Sequence, residues 1–177
     1  MYVVAMTAAG AAIGVTMAAA GAGFSALAPD AMLPLAVALG AIAFAYALHE
    51  LEFVRLPVPG RSWQVPVEWL RGGFYQSAAV FGGIVGFGVI TRVSFALLPI
   101  FLAWLFVSGN VLAGLLAGVL WGATRAITIY SSAAARTPED VAGVNQRLMG
   151  LVPAFHVAIG VALAAFAAFL LTAPFLP

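Results

Sequence analysis

The sequence predicts an all-α fold, a polytopic transmembrane helical bundle, and three observations carry that expectation. Hydrophobic residues fill 64% of the 177 positions and charged residues only 7%, whereas a soluble domain carries about 25% charge. The apolar residues fall in long blocks, and about 20 such residues match the hydrocarbon thickness that a helix must cross. No block alternates polar and apolar side chains with period two, which disfavours a β-barrel. The expected setting is therefore a cell membrane crossed several times, in a single integral domain spanning residues 1–177.

The first block runs from about Val3 to Leu27. It lacks a basic leading region and exceeds the roughly 7–15 apolar residues of a signal peptide, so it reads as the first span. "APD" closes it, with Pro29 and Asp30 forming a turn. The second block, Met32 to Leu48, ends in "HELE". A polar connector follows, "FVRLPVPGRSWQVPVEWLRGG", with three prolines (Pro57, Pro59, Pro66). Its Trp63 and Trp69, beside Glu68 and Arg71, suit a helix lying among lipid headgroups.

The third block, Phe74 to Val107, is the long one. A single helix of that length would measure roughly 50 Å against a core of about 30 Å. Length thus predicts two passes broken near Thr91-Arg92, and six spans in all. Charge predicts otherwise. Arg55, Arg61 and Arg71 share one loop, Arg136 and Arg147 another, and the positive-inside rule places both loops on the cytoplasmic side. That requires five spans. A faint internal repeat, with halves 1–73 and 74–177, favours six spans arranged as a three-plus-three inverted repeat, an architecture common among transporters. Six is the expectation adopted here, with five as the alternative.

"SGN" at Ser108 to Asn110 separates the fourth block, Val111 to Tyr130, from the third. The loop "SSAAARTPEDVAGVNQR" leads to the last block, Leu148 to Leu171. Within these blocks Gly114, Gly118 and Gly122 stand four apart, as do Gly10 with Gly14 and Gly82 with Gly86. Small residues at that spacing share one helix face and let backbones approach closely in lipid. They are expected to pack helices, either within the bundle or against a second copy or another membrane protein.

Few residues carry chemistry. Arg92 is the one guanidinium inside the third apolar block, and an arginine at bilayer centre costs from about 2.5 to well over 10 kcal/mol. It must lie at a headgroup boundary, pair with an acid, or line a wet cavity. Gly86, Gly88 and Thr91 around it would permit local unwinding. These four, with His156 inside the last span, are the candidates for a substrate path. His156 read alone is equally a neutral imidazole bonded to a neighbouring helix. His49, Glu50 and Arg125 are polar candidates at helix ends near the membrane surface, where Arg125 can extend its head to the interface.

Other classes find no support in the sequence. With no cysteine and two histidines, neither thiolate nor histidine metal sites are expected, and no metal or cofactor is assigned. No phosphate loop, HExxH or Ser–His–Asp constellation occurs, so an enzyme is not expected. The near-neutral balance of +1 gives no sign of nucleic-acid binding.

The stretch "FGGIVGFGVITRVSFALLPI", followed by a span and a basic loop, resembles the start of a half-repeat in the DsbD/CcdA-type family, within the LysE-type superfamily. Phe81, Gly86, Gly88 and Thr91 match its approach to a broken helix. Arg92-Val93 stand where the family has Pro-Cys, and Pro99 corresponds to a later proline. The resemblance implies a bacterial inner-membrane scaffold of inverted three-helix halves around a central cavity. It cannot imply the family's thiol redox transfer, because the chain has no cysteine. The sequence therefore predicts a transporter-like membrane protein for a small polar or anionic solute. A non-catalytic membrane subunit or assembly factor is the alternative.

Overall fold

Turn chemistry cuts the apolar blocks into helices. The computed structural model describes residues 1–57, 68, 73–87, 96–132 and 137–172, and every regular element among them is helical. They are α1 (Tyr2–Leu27), α2 (Met32–Glu50), α3 (Phe74–Phe87), α4 (Leu97–Ser108), α5 (Val111–Ser132) and α6 (Pro138–Thr172), with one 3-10 turn at Pro29–Ala31. That turn is the expected "APD" reversal. At "SGN", Gly109 takes the left-handed conformation (φ 58°) that ends α4, and the Asn110 side chain accepts the Ala113 N–H at 3.0 Å to open α5.

The last helix starts earlier than its apolar block. Thr137 and Asp140 exchange hydrogen bonds at 3.1 Å in both directions, a capping arrangement that opens α6 behind Pro138. Part of the expected loop is thus the polar first turns of a helix.

Two packing zones hold the bundle. In the first, α1 lies against α5 with almost no side chain between them. A Cβ on Gly10 would strike the Gly118 carbonyl oxygen, and one on Gly114 would lie 2.5 Å from the Gly14 oxygen and 2.8 Å from the Ala18 Cβ. Gly122 meets Met6 in the same way, so the register of the two helices is antiparallel. The second zone joins α2, α4 and α6 through Leu39, Ala43, Ala47, Ala96, Ile100, Leu163, Ala167 and Leu170. Gly40 opposes Leu170 and Leu171 while Gly160 opposes Ala47 and Leu51, so α2 and α6 are also antiparallel. α3 packs beside the start of α1, where Gly82 sits close under the Tyr2 carbonyl.

The direction of α4 matters for topology. Its Ala96 end meets Glu50 at the end of α2, and its Phe106 end meets Gly21 of α1. Hence α4 runs parallel to α1 and opposite to α2.

The outside is apolar. Val4 and Leu27 on α1, Leu33 and Phe44 on α2, Leu112, Leu116 and Leu120 on α5, and Val157, Val161 and Phe169 on α6 are all exposed. α1, the stretch Pro29–Glu50 and the stretch Ala142–Thr172 are long and apolar enough to cross a membrane, while Leu97–Ser108 and Val111–Arg125 are shorter apolar helices. Such a surface suits lipid contact, since soluble monomers rarely expose apolar patches of this extent.

Candidate functional site

α2 ends in a way that turns Glu50 inward. The Phe53 N–H reaches back to the Leu48 carbonyl at 2.9 Å and the Glu52 N–H to that of His49 at 3.0 Å, the paired bonds of a Schellman motif. Its left-handed position is filled by Glu52 (φ 64°) and not by glycine. An L-residue there is strained by about 1–2 kcal/mol, partly offset by the extra chain entropy a glycine would lose. We expect Glu52→Gly to stabilise the protein by about 0.5–1 kcal/mol, read as a higher midpoint of thermal unfolding in lipid nanodiscs. A lower midpoint would mean that the Glu52 side chain makes compensating contacts.

The same motif folds the following residues over the helix end. The Tyr46 hydroxyl donates to the Pro57 carbonyl at 2.8 Å, and the Leu56 N–H donates to His49 Nδ1 at 3.0 Å. With Nδ1 accepting, the proton of neutral His49 belongs on Nε2. His49 is therefore tied to its own connector.

Glu50 differs from the surface helix end that the sequence predicts. It is the last residue of α2, a helix end as expected, but it is 1% exposed, the sole buried charged or polar residue among those described. One carboxylate oxygen, Oε1, accepts the Ala96 N–H at 2.9 Å. The other, Oε2, lies 2.6 Å from His156 Nδ1. An isolated carboxylate buried in apolar surroundings is strongly unfavourable. Here each oxygen has a donor, and hydrogen bonds to charged groups contribute about 1.5–3 kcal/mol each. Ala96 is the N-cap of α4 and offers no capping side chain, so Glu50 caps that helix from 46 residues away in sequence. Negative charge at a helix N-terminus is favoured by about 0.3–1 kcal/mol or more.

His156 presents the opposite tautomer to His49. When Glu50 is ionised its oxygens only accept, and Nδ1 is then the protonated nitrogen that donates across the 2.6 Å contact. Its side chain is 33% exposed while that of Glu50 is covered. Pro153 lies one turn earlier inside α6; lacking an N–H, it leaves the backbone carbonyl one turn before it without its helical donor.

The pair lies well inside the bundle. From Phe106, level with Gly21, ten residues of chain lead back to Ala96, about 15 Å at 1.5 Å per residue. That places the Glu50–His156 contact near the level of Gly10 to Ala12, about a third of the way along the 26-residue α1. Comparison with protein-family models, curated proteins and solved structures returns no match. The reading of the site rests on its own chemistry.

The other candidates are dispersed. Thr91, Arg92 and Gly88 lie outside the described residues, as do Arg61, Trp63, Trp69, Arg71 and Arg136; Gly86 lies in α3. Arg125 is half-buried near the start of α1, its guanidinium carbon 5.2 Å over the Trp121 ring, a cation–π contact. Gly114, Gly118 and Gly122 face α1 of the same chain. Among the described residues no group of three His, Asp or Glu could hold a metal ion. The structure thus joins two residues that the sequence assigned to different roles, Glu50 and His156, and adds the Ala96 N–H, which no side-chain pattern marks.

Proposed function

We propose that this chain is a multi-pass membrane protein of transporter type, with a path for a small polar or anionic solute past Glu50 and His156. One observation carries the reading: an ionisable pair is held inside a bundle whose exterior is apolar. Ionisable groups at such depth are unfavourable unless paired or facing a cavity, and they mark ion and substrate paths. Thr91 and Arg92 stand five and four residues before Ala96 in the chain. The likeness to DsbD/CcdA-type scaffolds belongs to this proposal, without their redox chemistry.

For topology, we propose five crossings rather than six. α2 ends and α4 begins at one level, joined by Glu50 and Ala96, and α4 runs parallel to α1. The two helix ends that flank residues 51–95 therefore lie at one level. Five crossings also agree with the positive-inside rule, which favours one face for the arginines of the two polar stretches. An inverted repeat would instead make α1 and α4 antiparallel. The subunit alternative relied on the glycine faces; since α5 spends its glycines on α1, a partner would have to seat elsewhere.

The test uses the cysteine-free chain in proteoliposomes. Single cysteines at Ser62 and Ser132 are expected to react with impermeant maleimide from one side, and a cysteine at Ser108 from the other. Shrink–swell light scattering then compares formate, lactate, phosphate and glycerol as probes. Faster flux of at least one probe, abolished by Arg92→Ala with the protein still in the bilayer, is the expected result. Rates equal to empty liposomes for every probe would sink the carrier reading.

A further inference from the structure

We propose that α2 and α6 roll as one unit over α4, narrowing a groove on one flank of that helix while widening a groove on the other. Its use in carriage rests on the carrier reading above; the movement itself does not. The helices are joined in two unlike ways. α1 meets α3, α4 and α5 backbone to backbone. A Cβ on Gly14 would strike the Gly114 carbonyl oxygen, one on Gly21 the Phe106 oxygen, and one on Gly82 would lie 2.6 Å from the Tyr2 oxygen. In lipid such close approach supplies most of the attraction between helices. It also fixes register, because sliding or turning either helix drives a carbonyl into a Cα. α2 and α6 form a second unit. Gly160 makes room for the Leu51 side chain and Gly40 for that of Leu171, while Glu50 and His156 meet at 2.6 Å.

Between the two units the contact is made by side chains. Ala96 and Ile100, with Ala103 and Val107 beside them, present one stripe of α4 to Leu39, Ala43, Ala47 and Leu163. Their spacing of three and four keeps the stripe on a single helix face. A groove borders it on either flank. On the α6 side about 340 Å³ lies open among Leu97, Phe101, Trp104, Ala162 and Phe166. On the α2 side about 390 Å³ lies open among Leu35, Ala38, Ile42, Leu102 and Phe106. Side chains on a groove wall lack packing partners on one side, so no close contact opposes a roll toward either flank. The volumes are similar, and a roll exchanges one for the other.

The ends of α2 define the axis. The Pro29–Ala31 turn ties its start to α1, and Glu50 at its end holds the Ala96 N–H at 2.9 Å. A unit held at both ends can turn about the line joining them but cannot slide along it. Shear of packed helices proceeds by such side-chain repacking, which costs less than forcing backbones together. Two aromatic contacts distinguish the units. Trp104 on α4 meets Phe166 on α6 edge-on at 6.1 Å, across the seam. Trp121 on α5 stacks on Phe101 of α4 at 6.0 Å, within the α1 group. Under the carrier reading, the roll moves the Glu50–His156 pair with α2 and α6, relative to α4.

The experiment uses the full chain in lipid nanodiscs with 5-fluorotryptophan in place of its four tryptophans, read by 19F NMR. Trp104→Phe and Trp121→Phe identify the two signals. Ala38→Leu fills the α2-side groove and Ile42→Ala enlarges it. Both positions are exposed, so neither change overpacks a core, and neither residue lines the groove that holds Trp104. Filling should keep the α2-side groove open and the α6-side groove narrow, and enlarging should do the reverse. The Trp104 signal is therefore expected to move in opposite directions in the two variants, the balance of its two positions changing at least about threefold in each. Trp121 should keep its wild-type shift, which also reports a folded chain. A Trp104 signal that stays in place, or moves the same way in both variants, overturns the roll. So does a Trp121 signal that moves as far, because α4 and α5 would then not belong to one unit. Opposite shifts at Trp104 without flux of any probe would remove the carrier reading and leave the movement standing.

Discussion

Gly118→Leu should separate α1 from α5 and cost at least about 3 kcal/mol, the upper end of what overpacking usually does. The reason is what the new side chain meets. Its Cβ would collide with the Gly10 carbonyl oxygen, with the Gly10 carbonyl carbon at 2.8 Å and the Ala11 Cα at 3.1 Å. All of these are backbone or backbone-bound atoms, so no rotamer change relieves the contact. In lipid, apolar burial contributes little between helices, and close backbone approach supplies most of the attraction. Losing that approach therefore removes the interface and not just one contact. Gly23→Leu is the control, because nothing lies within 4 Å of its added Cβ. It should match wild type or melt slightly higher, given leucine's better helix propensity. The measurement is the fraction of monodisperse protein remaining after a temperature ramp in detergent. Coincident curves for Gly118→Leu and wild type would contradict the glycine contact between α1 and α5.

These two zones differ in how far they could be read from sequence. The glycine stripe is legible because a spacing of four is a one-dimensional pattern: Gly114, Gly118 and Gly122 must share a face of α5 whatever that face touches. Which helix lies opposite is a long-range fact, and nothing near Gly118 names Gly10. The helix ends follow the same division. The "SGN" and "APD" breaks use local turn chemistry and are visible, as is the capping potential of "TPED". Yet the polarity of residues 137–147 hides a helix that continues beyond its apolar stretch.

Glu50 was obscured for two reasons. Its apolar block stops at Leu48, which makes "HELE" look like a surface end, and its partner lies 106 residues away. The physical hint was available in another form. An imidazole inside a span needs a partner, and few acids adjoin an apolar block. The Ala96 N–H could not be anticipated, because an alanine that opens a helix with a borrowed cap leaves no signature. Arg92, the most conspicuous residue in the sequence, lies outside the described residues, so its neighbours are known only by chain order.

Removing the two partners of the buried pair should have unequal effects, with His156→Ala the more damaging. It strands a covered carboxylate that keeps one amide donor, and breaking a buried ion pair in this way costs about 3–5 kcal/mol. Glu50→Ala strands less. The imidazole left behind is one-third exposed, within reach of solvent, and the orphaned Ala96 N–H is a single neutral donor. Such a group costs about 1–3 kcal/mol. Adding the second substitution to His156→Ala removes the stranded charge, so the double variant should be more stable than His156→Ala alone. Thermal unfolding of the three variants in one nanodisc composition reads the order directly. A double variant at least as unstable as the sum of the singles would mean that Glu50 and His156 act independently, contrary to a 2.6 Å contact. The order also separates two views of the pair. A latch kept for stability alone would tolerate replacement by apolar residues of similar volume, as buried ion pairs often do. A pair kept for its charge would give a stable but inactive Glu50→Leu/His156→Leu protein, with probe flux lost while the melting curve holds.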